Sequence, residues 1–289
     1  MTESDTSRGP FRQLVFSGGG TRCFWQGGFL DATRDALPVD PERITGVSGG
    51  ALSAAGIIAH KGHALLEAMA DIFAARDSNV NWHDPAGDGG VTPHQRMYRE
   101  VVKDVFRGEG VAAVADGPAF QILLGHPPAS ALGKLTGTLS TAAYEAELHT
   151  GGGPHFAWAE KTGVESTLVD ARAAARAGDL TDLICAAAAI PPVFEPPLWD
   201  GRPVIDGGMV DQAPMPDPDD GRTLVLLTRD YGSVPDLSDR TYLWPSREVP
   251  ADKIDFTDPA DIRRSWEIGE ADGRRFLETF KTETNQTEE

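Results

Sequence analysis

A serine within a glycine-rich pentapeptide is the first candidate for chemistry in this sequence. Residues 46–50 read GVSGG and match the G-x-S-x-G elbow, in which a sharp strand-to-helix turn exposes a serine hydroxyl at the edge of a sheet. The pattern makes Ser48 a candidate nucleophile. In a chain with 32 glycines the pentapeptide alone is a weak signal, and the alternative is a small residue in a turn. The choice depends on what else the sequence places beside Ser48.

A serine hydroxyl needs a neighbouring base to take its proton. Histidine is the usual base, and an α/β-hydrolase would supply it after the serine and the acid. All seven histidines, however, lie at or before His155, ahead of the strand-rich second half of the chain. The alternative is Asp206, which ends the apolar stretch RPVID and precedes two glycines. Because the carboxyl ends of parallel strands share one edge of a sheet, Asp206 and Ser48 can meet there.

Asp206 would act as the base only in a suitable environment. An aspartate with an ordinary pKa near ~3.9 is a weak base for a hydroxyl, so we expect Asp206 to be partly desolvated. Taken alone, Asp206 before two glycines is a turn former; its combination with the elbow favours the catalytic interpretation. Gly46 and Gly50 are the glycines of the elbow, and Gly207 and Gly208 are those of the aspartate turn.

The loop SGGGTR, residues 17–22, is the third candidate element. Glycines let backbone amides turn outward, and the start of the following helix carries partial positive charge, so the loop suits a developing oxyanion. The candidate donors are the amides of Gly18, Gly19, Gly20 and Gly49. A dinucleotide-binding fingerprint is the alternative, but its third glycine is replaced by Cys23. Asp211 with Gln212 is a further candidate for orienting the aspartate turn, and capping near Ala213 is an equal account of it.

The surrounding sequence predicts alternating strands and helices, and therefore a parallel sheet covered on both faces within a single domain, 1–289. In residues 79–154, glycines and prolines separate short pieces that are predicted to be helical, such as MYREVVKDVF and FQILLG. We interpret this stretch as an inserted cap. A terminal helix is expected over SWEIGEADGRRFLETF, followed by a disordered tail at 281–289. The predicted strands are FRQLVF, a short one at Ile44 and Val47, STLVDA, RPVID and TLVLLT; the predicted helices are Phe24–Leu37, ALSAAGIIAH, His63–Arg76, ARAAARAG and LTDLICAAAA.

Composition excludes several classes of function. A net charge of -18 argues against nucleic acid as a partner and against adhesion to anionic lipid by charge alone. The two cysteines, Cys23 and Cys185, form no metal-type spacing. The first ten residues lack the features of a secretion signal, so a cytoplasmic location is expected. No apolar run approaches the length of a bilayer span, so any membrane contact would be peripheral.

Three stretches together resemble the patatin-like phospholipase family: FSGGGTRCFWQGGFL, GVSGG, and AAAAIPPVFEPPLWDGRPVIDGGMVDQAPM. The segment SWEIGEADGRRFL is similar to the closing helix of many bacterial members. The resemblance implies a three-layer α/β fold and a Ser48–Asp206 dyad with an oxyanion hole from the glycine loop. It further implies hydrolysis of acyl esters of phospholipids or lysophospholipids without a metal or other cofactor. The family's G-G-G-x-R-G pattern ends in Cys23 here. Because cysteine has a Cβ and lacks the backbone freedom of glycine, this departure bears on the fine geometry of the loop.

Two other functions stay open at the level of sequence. One is an esterase or thioesterase acting on soluble acyl substrates, since no residue pattern measures acyl length or head group. The other is a binding protein that keeps the fold without turnover. Covalent labelling of Ser48 and lipid-product analysis separate these classes.

Overall fold

A mostly parallel β-sheet forms the centre of the molecule. The structure, a computed structural model, describes residues 10–36, 41–75, 93–127, 153–155, 164–191, 194–252 and 255–287. Within these ranges the strands are β1 (Gln13–Phe16), β2 (Arg43–Gly46), β3 (Ala119–His126), β4 (Glu165–Asp170), β5 (Leu198–Trp199), β6 (Arg202–Pro203), β7 (Ile205–Asp206), β8 (Thr223–Leu226) and β9 (Arg240–Leu243).

The sheet has seven strands among the described residues, in the order β4-β3-β2-β1-β8-β9, with β7 also paired to β3. The pairs β1–β2, β1–β8, β2–β3 and β8–β9 are parallel. Strands β4 and β7 run antiparallel to β3, while β5 and β6 form a separate hairpin. The parallel strands β1 and β2 end at the same edge of the sheet, and their carboxyl ends lead into the glycine loop and the elbow.

Helices flank this sheet. They are α1 (Phe24–Thr33), α2 (Gly49–Ile58), α3 (Gly62–Ala74), α4 (Pro93–Phe106), α5 (Glu109–Asp116), α6 (Ala171–Ala177), α7 (Leu180–Ala187) and α8 (Pro259–Thr287), with short 3-10 helices at Gly20–Cys23 and Gly207–Met209. Side chains on one face of the sheet, such as Phe16, Ile44 and Phe120, join the large core formed with the helices. On the other face Val15 and Val225 pack in a smaller core. These layers confirm the predicted α/β class.

Glycines bring α1 and α8 into close contact. A Cβ atom at Gly28 would overlap the carbonyl oxygen of Trp266, and one at Gly269 would overlap that of Trp25. The indole Nε1 of Trp25 donates a hydrogen bond of 2.9 Å to Asp272 Oδ2, and both of these side chains are buried. The terminal helix is therefore an integral part of the core that supports the residues after the glycine loop.

The described part of residues 79–154, the stretch interpreted as an inserted cap, contributes to the central sheet and the main core. Helices α4 and α5 pack in the main core, and β3 lies inside the sheet between β2 and β4. FQILLG, predicted as helical, belongs to β3. Phe120, Ile122 and Leu124 face one side while Leu123 is also buried, so the run is apolar on both faces and lacks the alternation that identifies a strand. Residues 76–92 and 128–152 lie outside the described residues.

The chain end also differs from the prediction. The backbone of residues 281–287 continues α8 to Thr287, where the sequence predicted a disordered tail. KTETNQT contains neither glycine nor proline, so no residue in it interrupts the helix. Among the helices of the described ranges, none has the length and hydropathy needed to cross a membrane.

Candidate active site

Ser48 lies at the tip of a tight turn between β2 and α2. Its backbone has φ 56° and ψ -135°, a conformation that is strained for a residue with a side chain and that is found preferentially at functional sites. A Cβ at Gly46 would lie 2.7 Å from Ala51 Cα, and one at Gly50 would overlap the Phe16 carbonyl oxygen. The two glycines therefore permit α2 to begin directly against the ends of the strands. Ser48 is 4% exposed.

The register of the sheet places Asp206 beside the elbow. Strand β4 pairs with one edge of β3 from Gln121 to His126, so β2 and β7 share the other edge. On that edge Gly46 is paired with Ile122 and Asp206 with Leu124. Asp206 thus occupies the position just beyond the end of β2, where the chain turns away into Ser48.

The Asp206 carboxylate is buried and oriented by its own turn. The residue is 0% exposed, and its Oδ1 accepts a 2.7 Å hydrogen bond from the amide of Gly208. Its backbone amide donates to the carbonyl of Ala189 at 2.8 Å. A Cβ at Gly207 would overlap the Leu123 carbonyl oxygen, so the first glycine lets the turn lie against β3. The desolvated environment expected for this aspartate is present.

Gln212 joins the aspartate turn to the glycine loop. Its side-chain Nε2 donates to the Gly208 carbonyl at 2.6 Å, and its backbone carbonyl accepts from the Gly18 amide at 2.9 Å. A Cβ at Gly18 would lie 2.9 Å from Gln212 Oε1 and 3.4 Å from Ser48 Cβ. The side chains of Ser48 and Gln212 therefore both lie next to Gly18. Of the two residues predicted to orient the aspartate turn, Asp211 and Gln212, it is Gln212 that binds the turn.

Asp211 has a different set of partners. Its Oδ1 accepts from the Ala213 amide at 2.8 Å and lies 3.0 Å from His155 Nδ1. The other ring nitrogen of His155 lies 3.3 Å from the Tyr242 hydroxyl. Asp211 therefore stabilises the segment after the turn, and no described helix begins at Ala213.

The glycine loop lies directly against the elbow. Gly20 has a φ of +57°, and a Cβ at Gly49 would overlap its carbonyl oxygen. The Gly18 amide, predicted as an oxyanion donor, donates its hydrogen bond to the backbone carbonyl of Gln212, in a segment distant along the chain. Within the described part of the chain, no hydrogen bond occupies the amides of Gly19 and Gly20.

Cys23 is accommodated without distortion at the position where the family pattern has glycine. Its backbone is in the right-handed helical region, with φ -64°, which any residue adopts easily. The side chain is 3% exposed, and its Sγ lies 3.5 Å from the Ser17 carbonyl oxygen. The buried thiol therefore packs against the loop, and the backbone of Cys23 does not need the conformational freedom of glycine.

Ser48 opens into an apolar pocket. Phe24 lines this pocket, whereas its neighbours on α1, Trp25 and Phe29, are buried in the core. No histidine occurs among the described residues that line it. The lining is mainly aliphatic and aromatic, and includes Leu52, Leu65, Met69, Phe73, Ile190, Phe194 and Phe256.

Comparison with protein-family models gives a match to patatin-like phospholipase over residues 14–219. The chain belongs to the patatin-like phospholipase family. The match contains the glycine loop, the elbow and the aspartate turn, and it confirms the predicted three-layer α/β patatin fold. At the family level this makes the protein a hydrolase that acts on lipid esters. No curated protein matched the chain.

In this patatin-like phospholipase the helix α8 lies beyond the matched residues. It nevertheless packs against α1, which directly follows the glycine loop. Tyr98, which lines the pocket from α4, was not among the site residues predicted from the sequence. Its position within an ordinary amphipathic helix carried no sequence signal.

Proposed function

We propose that the protein is a serine acyl hydrolase in which Ser48 and Asp206 form a dyad that cleaves acyl esters of phospholipids or lysophospholipids. The observation that carries this proposal is the shared edge of β3, which brings Asp206 to the point where β2 turns into Ser48. The strained backbone of Ser48 supports the role of nucleophile, since strain of this kind is maintained at functional sites.

The reaction begins with proton transfer from Ser48 to Asp206. As the Oγ atom of Ser48 forms a bond to the ester carbonyl carbon, the carboxylate of Asp206 accepts the hydroxyl proton. The tetrahedral intermediate then expels the alcohol, whose oxygen takes that proton from Asp206. Water repeats the sequence on the acyl-enzyme, with its proton passing to Asp206 and back to Ser48, and the fatty acid leaves.

The oxyanion is held by backbone amides. Gly19 and Gly20 on the loop and Gly49 at the start of α2 are the donors, and the Gly18 amide has the structural task of binding Gln212. The amide of Gly49 also lies at the positive end of the α2 dipole. Fixed donors of this kind act strongly because they need no reorganisation when charge develops.

Two properties support a lipid substrate. The pocket at Ser48 is lined mainly by apolar side chains, which suit an acyl chain. The net charge of -18 disfavours anionic surfaces and favours neutral or zwitterionic lipid. Tight binding to anionic vesicles at physiological salt would contradict this preference.

The deciding experiment is lipid-product analysis with phosphatidylcholine and lysophosphatidylcholine in mixed micelles. Wild-type protein should release fatty acid, and Ser48→Ala should reduce the rate to the background level. Ser53→Ala is the matched control, because Ser53 lines the same pocket but donates its hydroxyl hydrogen bond to the Cys23 carbonyl at 3.3 Å. Equal rates in wild type and Ser48→Ala would exclude the dyad.

The same samples separate the two other functions. Turnover of soluble esters or acyl thioesters with no release of fatty acid from micelles would indicate an esterase or thioesterase. A fluorophosphonate probe should label wild-type Ser48 covalently. Failure to label, together with no turnover of any acyl substrate, would indicate a binding protein.

A further inference from the structure

Tyr98 on α4 lines the pocket that contains Ser48. Its ring packs against that of Phe194 with a centroid distance of 6.0 Å. The hydroxyl is buried, and within the described ranges no protein atom forms a hydrogen bond with it. Because a buried hydroxyl without a partner destabilises the folded state, its retention in a site points to a ligand atom.

Two contacts hold Tyr98 in position. Gln95, one turn earlier on α4, exchanges hydrogen bonds of 3.2 and 3.1 Å with the backbone of Glu195. Arg99, the next residue after Tyr98, forms a salt bridge with Asp182 on α7. Both contacts lie beside Tyr98, so its place at the pocket is determined by the packing of α4 on α7 and the following segment.

The other polar side chains at the pocket are already used. The Thr21 hydroxyl donates to the Asp252 carbonyl, and the Ser53 hydroxyl donates to the Cys23 carbonyl. Among the described lining residues, Ser48 and Tyr98 are therefore the side-chain hydroxyls available to a substrate.

Tyr98 is a hydrogen-bond donor at any working pH. Burial raises the pKa of its phenol well above the usual range, and the neighbouring Cys185, Cys23 and Asp206 act in the same direction. The hydroxyl therefore keeps its proton and can offer it to an acceptor.

The position of α4 indicates which substrate atom that acceptor is. The glycine loop follows β1, on one side of β2, whereas Asp206 lies against β3, on the other side. Helix α7 packs on β3, and α4 packs on α7. Tyr98 thus approaches Ser48 from the side of Asp206. The carbonyl oxygen of a bound ester points at the loop, and the alkoxy oxygen must lie near Asp206 to receive its proton.

We propose that the Tyr98 hydroxyl donates a hydrogen bond to the alkoxy oxygen of the bound ester. This contact makes the enzyme selective for oxygen esters of alcohols that are poor leaving groups. This inference depends on the proposed function of Ser48 and Asp206. In the step concerned, the bond between the carbonyl carbon and the alkoxy oxygen breaks and Asp206 transfers its proton to that oxygen. Tyr98 keeps its own proton and stabilises the charge that develops on the leaving oxygen.

The test uses Tyr98→Phe, which removes only the hydroxyl and keeps the ring against Phe194. Three substrates share one acyl chain: a glyceryl ester, a p-nitrophenyl ester and an alkyl thioester. The kcat/KM should fall roughly ten- to a hundredfold for the glyceryl ester. It should fall by less than about threefold for the other two, because nitrophenolate leaves without help and sulfur is a weak acceptor.

The control is Tyr242→Phe, whose hydroxyl contacts His155 away from the pocket; it should leave the three rates unchanged relative to one another. Thermal melting of both variants checks the fold. An equal loss on all three substrates, or no loss on the glyceryl ester, would overturn the role of Tyr98 while Ser48-dependent turnover stands. Turnover of the glyceryl ester that is unchanged in Ser48→Ala would instead remove the proposed function.

Discussion

Gly46 and Asp206 occupy neighbouring places on one edge of β3, where they are paired with Ile122 and Leu124. One residue ends the strand that leads into Ser48, and the other ends the strand that precedes the DGG turn. Strand β3 therefore acts as the common template that aligns two segments far apart in the sequence. A change in the register of either strand would separate the proposed nucleophile from its base.

Asp206→Asn should lower kcat roughly a thousandfold or more, because the amide cannot accept the Ser48 proton. The asparagine oxygen can still accept the hydrogen bond from the Gly208 amide, so the turn should survive. Ester hydrolysis and a thermal melt measure the two effects. Asp211→Asn is the matched control, since Asp211 pairs with His155; an equal loss in that variant would indicate disruption of the whole segment.

Gln212→Ala should lower both stability and kcat. It removes the 2.6 Å bond from Nε2 to the Gly208 carbonyl and leaves a buried acceptor unsatisfied, which costs about 1–3 kcal/mol. The loosened turn and loop should reduce kcat more than they raise KM. Gln121→Ala is the control, because Gln121 also bonds to the backbone, at Asp217, but away from the pocket. A loss of stability with unchanged kcat would show that Gln212 serves the fold alone.

Gly269→Ala should destabilise the protein by about 1–3 kcal/mol, although alanine is normally the better residue in a helix. The added Cβ would overlap the Trp25 carbonyl oxygen and separate α8 from α1. Urea denaturation measures the change. Gly110→Ala in α5 is the comparison, since a Cβ there meets its neighbours at 3.4 Å or more; that variant should be neutral or slightly more stable. Equal stability of both variants would contradict the close contact of the helices.

Cys185 should be nearly inert to alkylation in the folded protein. Burial raises the pKa of its thiol to about 12, so at pH 8 the thiolate needed for reaction is roughly a thousandfold scarcer than for a free cysteine. The rate with iodoacetamide, followed by peptide mass spectrometry, should rise about tenfold per pH unit below that pKa. The protein unfolded in urea is the control. Fast labelling of Cys185 at pH 8 in the folded state would contradict the prediction.

Local patterns in the sequence determined the family, the α/β class and the candidate residues of the site. Elbows, glycine loops and strand-ending aspartates have backbone requirements that a few adjacent residues meet, so these features are visible without a structure. The same patterns predicted most helices and strands, because those segments show a clear period or a clear break.

Only the tertiary structure decided which of these residues meet and how they are used. FQILLG became strand β3 because its pairing with β2 and β4 outweighed a local sequence that fits either a helix or a strand. The Gly18 amide donates to the Gln212 carbonyl, and Tyr98 lines the pocket because α4 packs on α7. These outcomes depend on contacts between segments distant in the chain, and neither the period nor the spacing of nearby residues encodes such contacts.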